Sequence, residues 1–225
     1  MTHEENNELI ERIRKLEAEL AEAKGQKEAA PKKKRPQEKG KATRVLTVEQ
    51  YHEIIDTMRA GGCGFRANNR NATALVIQAN LGLRIGDVLK LKPSDFVRDG
   101  DRWRLNISES KTGKARTFTV PGQVHMYIDN YCLRNGIGPK DRIFPVSVRT
   151  LQEHLQRVCE YLDYENIGTH SFRKFFATQI YTKNGYDIAL VQKLLQHSSP
   201  ATTQRYIGIQ PEKLEAAIEN NVTLI

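Results

Sequence analysis

Four side chains suited to chemistry on a phosphate fall within one stretch. His170, Arg173, His197 and Tyr206 lie in G-T-H-S-F-R-K, an apolar run, and then L-L-Q-H-S-S-P-A-T-T-Q-R-Y-I. Two imidazoles, a guanidinium and a phenol can between them move protons, hold an anion and offer an oxygen nucleophile. Thr169 reads as the N-cap of a helix, so His170 and Arg173 occupy its first turn, three apart and on one side. Phe172, Phe175, Phe176 and Ile180 are spaced to bury the opposite side. A helix start presents backbone N–H groups and positive partial charge, the setting in which phosphate binds.

The elements that carry the rest follow from caps and periodicity. Asp187 caps a second helix whose stripe is Ile188, Val191, Leu194 and Leu195, ending near His197. Ser199-Pro200 then reads as N-cap and first residue of a third helix, which carries Tyr206. Upstream, Thr47 with Gln50 forms a capping-box pattern opening a helix to about Arg59, with Tyr51, Ile54, Ile55 and Met58 inward. Gly61, Gly62 and Gly64 end it. They lack the strand-turn-helix context of a nucleotide loop and read as a turn. A helix from about Asn71 to Asn80 stops at Gly82.

Trp103, Leu105 and Ile107 alternate with polar residues, as do Phe118 and Val120, and S-K-T-G-K joins the two strands as a hairpin. Gly113-Lys114 is not a P-loop, because the earlier glycine and the following Ser/Thr are missing. Segments Val124–Leu133 and Arg149–Leu162 read as scaffold helices. Their histidines, His125 and His154, are expected to be structural or exposed, and no metal-ligand spacing occurs.

His-x-x-Arg, Leu-Leu-x-His-Ser-Ser-Pro and a tyrosine nine residues after that histidine together resemble the catalytic end of the tyrosine recombinases, the phage-type integrases. G-L-R-I-G-D-V-L-K-L-K-P-S-D-F resembles the family segment bearing its first catalytic arginine, with Arg84 as the match. Asp87 stands where the family keeps an acid, and a charge-assisted pair with it would orient Arg84. Taken alone, the two residues read equally as a surface ion pair on a short helix. Lys111 matches the lysine this family carries on a β-turn; alone it is a solvated hairpin lysine.

The resemblance spans residues 45–225 and implies a mainly α fold with a small antiparallel β-sheet, closing on one face of a DNA duplex. It also implies the chemistry. A tyrosine hydroxyl attacks phosphorus and conserves the phosphodiester energy as a 3′-phosphotyrosine while a 5′-hydroxyl departs, so no metal, ATP or other cofactor is expected. Arg84 and Arg173 would clamp the non-bridging oxygens, and His197 would add a hydrogen bond. Lys111 would protonate the leaving oxygen, and His170 would take the proton of Tyr206. The implied partners are double-stranded DNA, further copies of the chain in a tetrameric synapse, and an accessory DNA-bending protein. A non-cutting truncated integrase or a helix-turn-helix regulator is the alternative, since Asp187–Tyr206 also resembles two helices joined by a short turn. A relaxing topoisomerase of related chemistry is a third.

Composition bounds these readings. The 225 residues are 39% hydrophobic and 28% charged, which fits a folded domain plus a charged tail. The formal charge of +8 divides unevenly, with −4 in residues 1–23, +7 in 24–44 and +5 in the remainder. A basic excess favours a polyanionic partner. Leu9, Ile13, Leu16, Leu20 and Ala23 form a short a/d seam, so residues 1–24 are expected to be a coiled-coil helix when paired and a solvated helix otherwise. Residues 25–44 are expected to be a disordered basic linker in which Lys32, Lys33, Lys34 and Arg35 lie along DNA phosphates, as would Lys114 of the hairpin. The same Pro31-Lys-Lys-Lys-Arg run resembles a nuclear-import signal. Together these segments stand where integrases usually carry a core-binding domain. Cys63, Cys132 and Cys159 have no paired spacing and are expected to be buried small apolar residues. No apolar run approaches the roughly 20 residues a bilayer requires, and the polar, acidic N-terminus is unlike a signal peptide. A cytoplasmic, nucleoid-associated protein is the expectation.

Overall fold

The computed structural model describes residues 43–108, 113, 115–197 and 199–207. The expected coiled-coil helix, nearly all of the basic linker with Lys32–Arg35, Lys111, Lys114 and the segment beyond Pro211 lie outside the described residues. Helix α1 is Val48–Ala60, α2 is Asn69–Leu81 and α3 is Ile85–Val88, followed by a short 3-10 turn at Pro93–Asp95. Strands β1 (Phe96–Asp99), β2 (Arg102–Ser108) and β3 (Ala115–Val120) come next. Helices α4 (Gly122–Arg134), α5 (Val148–Tyr161), α6 (Thr169–Lys183), α7 (Ile188–Leu195) and α8 (Pro200–Ile207) complete the order.

Most of these elements start and stop where local chemistry demands. Gln50 N–H donates to Thr47 Oγ1 and Thr47 N–H to Gln50 Oε1, each at 3.2 Å, so the capping box at the start of α1 is formed. Asp187 accepts from Leu190 N–H at 3.0 Å at the start of α7. Pro200 opens α8, as its fixed φ favours. At α6 the helix begins one residue earlier than expected. Gly168 is the cap, and Thr169 is the first helical residue and is buried. Thr43 and Arg44, which the sequence assigns to the linker, are tied to the fold: Arg44 N–H donates to Asn166 O at 2.8 Å, and Lys174 Nζ donates to Thr43 O at 2.5 Å.

The sheet is antiparallel in the order β1-β2-β3, and β1 is a strand the alternation pattern did not disclose. Its register pairs Phe96 with Leu105 and Leu105 with Phe118, stacking these three on the core side. His125 of α4 lies flat on Trp103, with ring centroids 3.5 Å apart, and burial pushes its imidazole pKa below the ordinary range. His154 of α5 has its Nε2 3.2 Å from Arg66 O and an edge contact with Phe65. Both histidines are structural in this fold.

One large core runs through α1, α2, α5, the sheet and the first half of α6, centred on Ile54, Met58, Leu75, Ile77, Leu105, Leu155 and Phe172. A second cluster joins Ala177 of α6 to Val191 and Leu195 of α7 and Ile207 of α8, with Phe176, Ile180 and Tyr206 packed against it. Gly82 lies between the two. It ends α2 in the left-handed conformation, φ 61° and ψ 24°, and a Cβ there would meet the Phe176 ring at 2.3 Å. An L-residue in that conformation costs about 1–2 kcal/mol. Forcing the ring aside adds about 1–3 kcal/mol. Gly82→Ala is therefore expected to lower unfolding free energy by about 2–5 kcal/mol in denaturant titration, and adding Phe176→Leu should recover only the steric part.

Cys132 and Cys159 are buried as expected, but Cys63 is exposed on the turn after α1, a correction to the sequence reading. Burial pushes the Cys159 thiol up to about 12. At pH 8 only about one part in ten thousand of it is thiolate, the reactive form. Native protein should therefore show one fast thiol in a colorimetric titration, and Cys63→Ser should remove it.

Candidate active site

The candidates among the described residues come from four separate places in the chain, and Arg173 ties the turns before two of them together. In α6 its side chain is 1% exposed, among the most buried large side chains described. Its Nη1 donates to Gly82 O at 2.6 Å and its Nη2 to Leu195 O at 3.0 Å. The sequence reading placed Arg173 with His170 on the side opposite the phenylalanines. In the structure Arg173 is covered by two chain turns, and its guanidinium is held between their carbonyl oxygens. His170, three residues earlier, is exposed, so the two do not share one environment.

Each of those carbonyls sits two residues before another candidate. Arg84 follows Gly82 and Leu83 and is the half-buried N-cap of α3. Two residues of chain span at most about 7 Å, so the Arg84 backbone stays close to the Arg173 contact. Asp87 is buried one turn along, its N–H donating to Arg84 O at 2.9 Å. His197 follows Leu195 and Gln196, the latter turning the chain at φ 52°. The His197 backbone is held by Gln192 at both ends: His197 N–H donates to Gln192 O at 3.1 Å, and Gln192 Nε2 donates to His197 O at 3.2 Å.

Tyr206 meets His197 directly. Their ring centroids are 4.7 Å apart with the planes inclined at 64°, an edge-to-face contact. On its other approach the Tyr206 ring lies 6.0 Å from Lys174 Nζ, within cation–π range. Lys174 is one helical turn after His170, a spacing that puts the two on neighbouring positions of one face of α6. Burial alone pulls the Lys174 ammonium below the ordinary lysine pKa. A continuous path of contacts thus runs from the Arg84 turn through Arg173 to His197 and on to Tyr206.

Several contributors carried no signal strong enough to single them out in sequence. They are Lys174, Thr203, whose Oγ1 is 3.0 Å from His197 Nδ1, and the carbonyls of Gly82 and Leu195. Thr203 sits three residues before Tyr206, one turn back on α8, a spacing that was available to read.

Residues 44–213 match the phage integrase family. A probable integrase/recombinase, YoeC of Bacillus subtilis strain 168, is 33% identical over 159 residues, covering 67% of this chain and 83% of its own. Among solved structures, XerH site-specific recombinase bound to palindromic difH substrate in a post-cleavage complex superposes with a TM-score of 0.61 at 23% identity. That match covers 80% of this chain and 53% of XerH, so this chain spans about half the length of that relative. The catalytic domain of bacteriophage HP1 integrase gives a TM-score of 0.55 at 20% identity, over 80% of this chain and 95% of that domain. The chain belongs to the phage integrase family, the tyrosine recombinases, enzymes that cleave and rejoin DNA. The described residues have the mainly helical architecture, with a small antiparallel sheet, of their catalytic domains. Among the described residues no helix is long and apolar enough to cross a membrane.

Proposed function

We propose that this chain is a site-specific recombinase that integrates, excises or inverts a DNA element through a 3′-phosphotyrosine intermediate. The observation that carries the reading is the bridge made by Arg173, which holds the Arg84 turn and the His197 turn to one buried guanidinium while His197 touches Tyr206.

In this reading Tyr206 Oη attacks the scissile phosphorus, the P–O5′ bond breaks, and the 3′ end remains covalently on the enzyme. The proton of Tyr206 passes to His170, and the departing 5′-oxygen receives one from Lys111. A 5′-hydroxyl then attacks the phosphotyrosine to rejoin the strand, and the phenol is regenerated. Arg84 and Arg173 stabilise the charge gathered on the non-bridging oxygens. The partners are duplex DNA, along which Lys32–Arg35 and Lys114 track phosphates, and other copies of the chain in a tetrameric synapse. An accessory DNA-bending protein would bring distant sites together, and the working compartment would be the cytoplasm with its nucleoid.

The test is a nicked suicide duplex built from the ends of the element that carries the gene, because loss of a short 5′ fragment past the nick blocks rejoining. A covalent protein–DNA adduct of the expected mass supports the proposal. Retarded DNA that is never covalently trapped would instead support a non-cutting binder. Relaxation of a supercoiled plasmid lacking any such site would support a topoisomerase.

A further inference from the structure

His197 is fixed on several sides, and one of them is a buried hydroxyl that the chemistry above leaves without a role. Thr203 is 0% exposed, and its Oγ1 lies 3.0 Å from His197 Nδ1. The Gln192 contacts hold the His197 backbone, and the Tyr206 ring limits rotation of the imidazole. A neutral imidazole carries a single N–H, so the bond at Nδ1 decides what Nε2 can do. A helical threonine can also turn its hydroxyl hydrogen to the carbonyl one turn back. Thr203 would then accept from Nδ1–H, and Nε2 would be left a bare acceptor, unable to donate to phosphate.

We infer that Thr203 is a positioning residue: its hydroxyl donates to His197 Nδ1, which places the ring proton on Nε2 and makes that nitrogen a donor to the scissile phosphate. The inference rests on the proposed reading in one respect, namely that His197 contacts the phosphate. Thr203 never touches substrate and acts through the tautomer alone. It also couples nucleophile to phosphate ligand, because Thr203 and Tyr206 stand one turn apart on α8.

The test compares Thr203→Val, which keeps the branched shape and loses the hydroxyl, with Thr203→Ser, which keeps the hydroxyl. Long-range 1H–15N spectra of the ring nitrogens in the full-length protein read the tautomer directly, without DNA or activity. The wild type and Thr203→Ser should show His197 protonated at Nε2, and Thr203→Val should show a mixture. On the suicide duplex the initial rate of adduct formation should fall about tenfold in Thr203→Val, the effect of one neutral hydrogen bond, and recover in Thr203→Ser. A wild-type His197 protonated at Nδ1 overturns the inference. So does a Thr203→Val enzyme that forms adduct at the wild-type rate. If the wild type forms no adduct, the recombinase reading fails while the spectroscopic result still decides the tautomer.

Discussion

Tyr206→Phe is expected to retard the same DNA as the wild type and to form no covalent adduct. The substitution removes one oxygen and keeps the ring. The edge-to-face contact with His197 and the approach of Lys174 depend on the ring, so both survive. Stability should therefore change by no more than about 1 kcal/mol, the scale of a single hydrogen bond. Chemistry should change completely, because phenylalanine offers no atom that can attack phosphorus. Denaturing gels of the suicide-duplex reaction read the adduct, and native gels read binding in the same samples. An adduct that persists in Tyr206→Phe would show that another oxygen is the nucleophile. Tyr181 and Tyr186, which pair at 5.3 Å on the neighbouring helix end, would be the first to map by peptide mass.

How much of this could be read from residues alone depended on whether the signal was local. The capping box at Thr47 and Gln50, the Asp187 cap and the Pro200 start are each settled within a few residues, and each is formed. The order Arg84, His170, Arg173, His197, Tyr206 was legible because motif spacing survives without knowledge of the fold. β1 was missed because only its first residue is buried, so the strand has no alternation to detect. The buried state of Arg173 was missed for a different reason. Helical periodicity assigned the apolar stripe correctly, with Phe172 and Phe175 buried. It could not show that Gly82, 91 residues away in sequence, and Leu195, 22 away, close over the remaining side. A charged residue on a polar face reads as solvated until distant backbone supplies acceptors. Thr203 went unnoticed because a threonine in a helix carries no chemistry until a neighbour gives it one.

That burial leads to the second large effect. Arg173→Lys preserves the charge and should damage both stability and reaction, whereas Arg84→Lys should damage chiefly the reaction. A planar guanidinium reaches two carbonyls at once, and a single ammonium on a flexible stem cannot reproduce that fork. One of Gly82 O and Leu195 O would lose its donor, and a buried acceptor without a partner costs about 1–3 kcal/mol. In a folded unit of this size each kcal/mol moves the midpoint by about 2–4 °C, so melting followed by circular dichroism should fall by several degrees. Loss of one preorganised donor to the transition state lowers rate by about a hundredfold to a thousandfold, and adduct formation well below the new midpoint should show it. Arg84 is half-buried at a helix start, and the donors to the Gly82 and Leu195 carbonyls come from Arg173. Arg84→Lys should therefore lower the melting midpoint less than Arg173→Lys does, while losing adduct on a similar scale. Should Arg173→Lys melt with the wild type, the guanidinium would not be what holds the Arg84 and His197 turns together. The path from the Arg84 turn to Tyr206 would then have to run through the apolar contacts of Ala177, Val191, Leu195 and Ile207 instead.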